Sequence, residues 1–384
     1  MINFHFFENR EKYLVLEVGE KNTSGFLLRL DQDKEIVFEK FWENFFWTKI
    51  SRRFRRHLEK WKVIVVASPS LATTIVLPIE LEREDGLMKS PLSSIELENL
   101  LAQATARIFT QVRGEASREL SIDELDTILI DNRVSNFKID GHHVMNPVDF
   151  RAKKINAILE LTLTTRTIFD DWKNNFSIGE TKNFFFTESA RSELFLLKKL
   201  VPLPVSLLIL NNRQNSQFFK LEKAAVGELI HRGKLKWTTS AITGAIEQDL
   251  SVTPAVAHKL YSLYSEKKLS PRITRHFNLI LKPSIAPFLK HLEELKTKGP
   301  VYIDTALPLP PFLPRKHGSA TLENLPFDEL YRKLGFKIDL SKSPWSDNQT
   351  FKHLAPFFEF YYNNEDLAIN HWLRRRLHWL GSIR

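Results

Sequence analysis

The first apolar runs of the chain, "KYLVLEV" and "GFLLRL", lie either side of a polar turn between Gly19 and Gly25. Short apolar runs separated by turn residues predict a β-hairpin. "KEIVFEKF" predicts a third strand. The stretch "WTKISRRFRRHLEKW" then changes period, with Ile50, Phe54, Leu58 and Trp61 on one side of a helix and Arg52, Arg53, Arg55 and Arg56 largely elsewhere. "KVIVVASP" is apolar throughout, as a parallel strand covered on both faces must be.

Ser93 with Glu96 forms a capping box that opens the amphipathic helix "SSIELENLLAQATARIFTQV". Three strand-like runs follow, broken at Asp140-Gly141 and Asn146-Pro147. One helix with a small antiparallel sheet makes a compact inserted subdomain. A helix near "TRTIFDDWKNNF" and the stretch "KNFFFTESARSELFLLKKL" lead to a second hairpin, "SLLILNNRQNSQFFKL". After it come the helices "AITGAIEQDL", "PAVAHKLYSLYSEKK" and "SIAPFLKHLEELK", the strand "GPVYIDTAL" and the Pro-rich "PLPPFLP".

A length of 384 residues exceeds what one core serves, so two halves are expected. With 43% hydrophobic and 26% charged residues, a folded soluble protein is expected rather than a disordered one. The absence of cysteine excludes disulfides, thiolate-bound metals and a cysteine nucleophile, and suits a reducing compartment. No basic leader opens the sequence, and no run approaches the roughly 18 apolar residues of a spanning helix, so a cytoplasmic location is expected. The net charge of +9 admits nucleic acid, anionic lipid or an acidic partner. Only 13 glycines are present, about half the usual share of about 7%, so glycine-dependent phosphate loops are scarce.

Two halves each opened by a hairpin, with an insertion in the first, resemble the actin-like ATPase superfamily and, within it, FtsA and the pilus protein PilM. The resemblance covers roughly residues 12–312 and the extreme C-terminus. Its best segment is "NFKIDGHHVMNPVDFRAKKINAILEL", which is similar to the FtsA order of D-G turn, N-P motif and strand, with Asp149 in place of a glycine. It implies an α/β, actin-like (ribonuclease H-like) two-lobed fold with a small α+β, FtsA/SHS2-like subdomain inserted in the first lobe. The first lobe would take residues 1–79 and return at 166–205, with 80–165 inserted, 206–330 as the second lobe, 331–366 returning to the first, and 367–384 as a terminal helix.

The motifs of that family have lapsed in this sequence. Its D-x-G with following hydroxyls and lysine falls on Glu17, Gly19 and Lys21, and Glu20 adds negative charge. Its "DIGGGTTD" falls on Leu210-Asn211-Asn212-Arg213-Gln214-Asn215-Ser216-Gln217, so the metal-facing aspartate becomes Leu210 and each glycine is gone. Glycines there let backbone N–H groups approach a phosphate; the side chains of Asn212, Arg213 and Asn215 are expected to fill that space. The paired glycines of two further motifs fall on Thr238-Thr239 and on Thr305-Ala306, and His258 stands where an acid would help hold the nucleotide. No cofactor is expected, ATP with magnesium only if the degenerate cleft still binds, and a pseudo-ATPase is implied.

The sequence ends "NNEDLAINHWLRRRLHWLGSIR". At helical spacing Ile369, Trp372, Leu373, Leu377, Trp379, Leu380 and Ile383 share one arc, with Arg374 and Arg375 opposite and Arg376 intruding. This is either a helix lying on an anionic membrane surface, like the C-terminal targeting helix of FtsA, or the last helix of the body. "YSEKKLSPRITRHF" clusters Lys267, Lys268, Arg272 and Arg275, which either receive the acidic tail of an FtsZ-like filament protein or form a solvated loop. The run "SRRFRRHLEKWK" reads as a solvated helix face more readily than as a nucleic-acid grip, and His142-His143 as a hairpin turn rather than a metal site. The first expectation is an FtsA-like adaptor, peripheral on the inner face of the membrane and open to self-association. The alternatives are a PilM-like scaffold gripping a PilN-like peptide between the insertion and the first half, and a working actin-like ATPase.

Overall fold

The computed structural model describes residues 11–20, 22–45, 61–83, 90–176, 184–212, 215–224, 227–297, 299–362, 369–370 and 372–373. The first hairpin forms as β1 (Glu11–Val18) and β2 (Thr23–Leu30), with β3 (Glu35–Trp42) antiparallel to β2. The apolar run becomes β4 (Lys62–Ala67), parallel to β1, and β9 (Phe184–Glu188) lies parallel to β4. In the second half β10 (Val205–Leu210), β11 (Ser216–Ala224) and β12 (Gly227–Leu235) are antiparallel, and β13 (Gly299–Thr305) and β15 (Ala320–Asn324) run parallel to β10. Both sheets therefore share one order, third-second-first-fourth-fifth, extended at one edge by β16 (Lys337–Asp339) or β14 (Lys316–His317). Two copies of this order, one per lobe, make the actin-like two-lobed architecture.

The inserted subdomain carries β5 (Ala72–Glu82), α1 (Ser94–Leu120), β6 (Thr127–Ile139), β7 (His142–His143) and β8 (Lys154–Thr165) in the order β5-β8-β6-β7. Its sheet begins at Ala72, earlier than residue 80, because β5 leaves the first lobe directly from the turn after β4. Ser93 caps α1 by accepting from the Glu96 N–H at 3.1 Å. The Glu96 carboxylate binds Arg83, whose side chain is fully buried and also donates to the carbonyls of Ser90 and Ala152. Asp140 and Gly141 have φ of 50° and 82°, the pair of left-handed residues that a two-residue hairpin turn needs. Asp149 has φ of 71°, so the position keeps the backbone shape that suits a glycine, and aspartate tolerates it.

The remaining helices are α2 (Arg166–Phe176), α3 (Ser189–Leu200), α4 (Ser240–Leu250), α5 (Pro254–Ser265), α6 (Pro271–Glu294), α7 (Phe327–Leu334) and α8 (Asp347–Tyr362). The sequence pattern places only "SIAPFLKHLEELK", which begins just after Pro283, in a helix. The helix runs through both prolines because Phe277, Leu281, Ile285, Phe288 and Leu292 bury one continuous face. The sequence pattern predicts no strand where β12 forms, and the helix expected over "WTKISRRFRRHLEKW" lies almost wholly outside the described residues.

Helices α3 and α8 lie between the lobes and share one apolar core with both sheets, in which Tyr13, Val15 and Phe26 of the first lobe meet Val205, Leu207 and Tyr302 of the second. At its margin Glu359 of α8 is fully buried. It is 3.1 Å from Arg133 of β6 and 3.3 Å from Arg191 of α3, and it accepts from the hydroxyls of Thr187 and Ser192 at 2.6 Å each. Burial opposes its ionisation, but Arg191, Arg133 and the two hydroxyls hold its pKa below the ordinary carboxylate value. Removing one member of such a cluster leaves buried charge uncompensated. Glu359→Ala is expected to destabilise the fold by about 3–5 kcal/mol, and Glu359→Gln by less, in urea unfolding at pH 7. Because the folded pKa is depressed, this stabilisation is present above the ordinary carboxylate pKa and fades as pH falls through the folded value.

Candidate functional site

The interlobe cleft lies where β1, β4, β10 and β13 end. At the first turn, Glu17 closes β1 and its carboxylate is engaged by His353 Nδ1 from α8 and by the Ser24 hydroxyl at 3.2 Å. His353 is itself stacked on Trp345 at 3.8 Å. Burial opposes ionisation of Glu17, but His353, Lys352 and Ser24 hold its pKa below the usual range. The Gly19 N–H donates to Asn22 O at 3.0 Å, which closes the turn on itself. Lys21 lies outside the described residues.

At the second turn Leu210 is buried in the second-lobe core beside Trp237 and Ile242. The next residue, Asn211, knits the turn. Its N–H donates to Ser216 Oγ at 3.3 Å, its amide donates to Asn215 O at 3.1 Å, and its carbonyl accepts from the N–H and hydroxyl of Thr239 at 2.8 and 3.3 Å. Ser216 in turn donates twice to Trp237 O. Asn212 and Asn215, expected to fill the phosphate position, are exposed, and Arg213 lies outside the described residues. The bonds that close the described part of this turn run through Asn211, whose side chain can bond within the turn. Thr305 bonds both backbone groups of Leu307 at 2.7 and 3.2 Å, and His258 is exposed.

Between the two turns lies a charge cluster that the sequence pattern did not single out. Lys352 of α8 is 3.3 Å from Asp304 of β13, and Asp304, with Glu193 and Glu17, outweighs burial and holds its ammonium protonated. Glu193 of α3 is buried, and one of its carboxyl oxygens has no hydrogen-bond partner. Burial, then Asp304 and Glu17, push its pKa well above the ordinary value against the pull of Lys352. Other contacts clasp the lobes. Arg232 of β12 meets the fully buried Glu188 at 2.5 Å, Gln217 donates to Pro69 O at 3.4 Å, and Lys234 donates to Glu119 O at 2.9 Å. Pro69, Glu119, Gln217, Arg232 and Lys234, with Glu115, Arg118, Phe219 and Gly233, line a cavity of about 330 Å³ where the insertion meets the second lobe. Gly227 seats β12 on the insertion: its φ is 147°, and a Cβ there would fall 2.3 Å from Asn136 Nδ2. Among the described residues no group of three or more His, Asp or Glu is arranged to hold a metal ion.

Of the residues read as lipid-facing, Ile369, Trp372 and Leu373 pack on the core of the insertion, Leu373 being 2% exposed. Arg374, Arg375, Leu377, Trp379, Leu380 and Ile383 lie outside the described residues. Lys267, Lys268, Arg272 and Arg275 are exposed around the α5–α6 turn, with Lys268 2.5 Å from Glu266. Among the described residues no helix is long and apolar enough to cross a membrane.

The raised pKa of Glu193 carries a definite sign. Its contribution to stability is complete below the ordinary glutamate pKa and declines as pH rises toward the folded value, because only the unfolded chain ionises easily. Glu193→Gln is therefore expected to stabilise the protein at pH 8 relative to the parent and to be nearly neutral at pH 4, in paired urea titrations.

No family model matches the chain, and no curated protein matches it. The solved structures to which it is similar include the following three. One is a PilM–PilN type IV pilus biogenesis complex, at 12% identity over 95% of this chain and 98% of that one, with a TM-score of 0.47. Another is the cytoplasmic domain of EpsL, an inner-membrane component of the Vibrio cholerae type II secretion system, at 10% identity over 88% of this chain and 100% of that one, with a TM-score of 0.33. The third is a Bacteroides thetaiotaomicron protein of actin-like ATPase fold and unknown function, at 9% identity over 92% of this chain and 98% of that one, with a TM-score of 0.33. The repeated strand order within this chain fixes its own fold as actin-like.

Proposed function

We propose that the chain is a binding scaffold of the PilM kind: an actin-like body that holds a short, PilN-like peptide of a membrane-anchored partner at the cytoplasmic face of a pilus or secretion assembly. It acts by position, without turnover of ATP. The observation that carries this reading is the state of the second turn. A phosphate loop works by leaving backbone donors free to meet an anion. Here the Asn211 donor is bonded to Ser216, its carbonyl is held by Thr239, and Leu210 offers no ligand to a metal. The first turn points the same way, since the Glu17 carboxylate is engaged by His353.

The FtsA-like adaptor is the less favoured reading. It needs a terminal helix free of the body, and Ile369, Trp372 and Leu373 are packed on the insertion. A working ATPase is disfavoured by both turns. Calorimetric titration with magnesium and ATP tests the proposal: no saturable heat is expected with ATP at millimolar concentration, and no phosphate release. A dissociation constant in the micromolar range would overturn it.

A further inference from the structure

We infer that the segment carrying Ile369, Asn370, Trp372 and Leu373 is an intramolecular ligand of the insertion, seated in a peptide-docking groove on the outer edge of β6, with Asn370 and Leu373 as the recognition pair. This rests on the scaffold reading above and adds that the groove is filled in cis, so a partner peptide reaches it only by displacing this segment.

The edge geometry is specific. β6 pairs with β8 along one side, where Val134 lies opposite Leu159. Among the described residues, its other side is covered by a strand only at Lys138 and Ile139, by the two residues of β7. At Val134 the edge is met by a side chain. Asn370 Oδ1 accepts from Val134 N–H at 2.9 Å, and Asn370 Nδ2 donates to Val134 O at 3.1 Å. A carboxamide presents one acceptor and one donor side by side, which is what a neighbouring strand would offer to a single residue. Aspartate lacks the donor and leucine lacks both groups. Val134 is 1% exposed and Asn370 6%, so the docked carboxamide shields both Val134 groups from water.

The apolar half is equally defined. Leu373 joins the core formed by Ile79, Leu97, Leu101 and Leu159 of the insertion, and Ile369 and Trp372 pack at its margin. Those three positions follow the i, i+3, i+4 spacing that puts side chains on one face. The segment is tied to α8 by only the residues 363–368. Six residues reach roughly 20 Å at full extension. Because the segment belongs to the same chain, its docking is intramolecular, and a free peptide must compete with it.

The test uses the full chain and a fluorescently labelled peptide of residues 366–376. In the Asn370→Asp/Leu373→Asp variant the internal segment can no longer bind, and the free peptide is expected to bind it at least tenfold more tightly than it binds the unaltered chain. The same peptide carrying Asn370→Asp should bind neither. Equal binding to both chains, or no binding to the variant, overturns the inference while leaving the ATP titration, and with it the scaffold reading, untouched. If the double variant does not fold, Asn370→Ala alone serves. The Val134 amide should then exchange its hydrogen at least tenfold faster, with the β6 amides paired to β8 unchanged, and an unaltered Val134 rate overturns the inference.

Discussion

The buried carboxylate of Glu359 is the constraint around which the molecule is arranged. An isolated charge at that depth would cost several kcal/mol, so the fold supplies two guanidinium groups and two hydroxyls from two other parts of the chain. Arg133 belongs to the insertion, Thr187 and Ser192 to the first lobe and the helix leaving it, and Glu359 to the helix that returns at the end of the fold. Each is useful only if the others are in place. Glu188, also fully buried, repeats the arrangement nearby: it accepts from Thr74 N–H of β5 at 2.8 Å and meets Arg232 of the second lobe. Two buried acids thus fix the insertion, the first lobe and the second lobe to one another.

Such joints suit a body that holds rather than one that cycles. In a nucleotide-driven two-lobed protein the ligand supplies the differential contacts that open and close the cleft. Here the corresponding positions make contacts among themselves: Glu17 with His353, Asn211 with Ser216 and Thr239, Asp304 with Lys352. These contacts join the two turns and α8 through the chain's own side chains.

Much of the architecture was legible because its signals are local. The hairpin runs, the Ser93 cap, the Asp140-Gly141 turn and the wholly apolar β4 each follow from neighbours in sequence. β12 was not, because "GELIHRGKL" has two glycines and few apolar positions; as the half-exposed edge of its sheet, it is held by pairing to β11 and by the close seat of Gly227 on the insertion. The first part of α6 was hidden by Pro283, whose cost is met by a buried stripe visible only in three dimensions. The lapse of both phosphate motifs was readable, but not which asparagine closes the turn, since Asn211 and Asn212 differ only in what each can reach. Glu193, Glu359 and Asn370 carried no signal at all. A buried glutamate or asparagine looks like a surface one until its partners, more than a hundred residues away in sequence, are brought beside it.

The central claim is that the lobes are clasped by the protein itself and do not respond to nucleotide. The chain has no cysteine, so Asp33→Cys in the first lobe and Gln248→Cys in the second, both at exposed positions, give two unique spin-label sites. Pulsed electron–electron double resonance between them should yield one narrow distance distribution that saturating magnesium and ATP leave in place. A shift of several ångströms on adding nucleotide, or a broad distribution that narrows with it, would contradict the account.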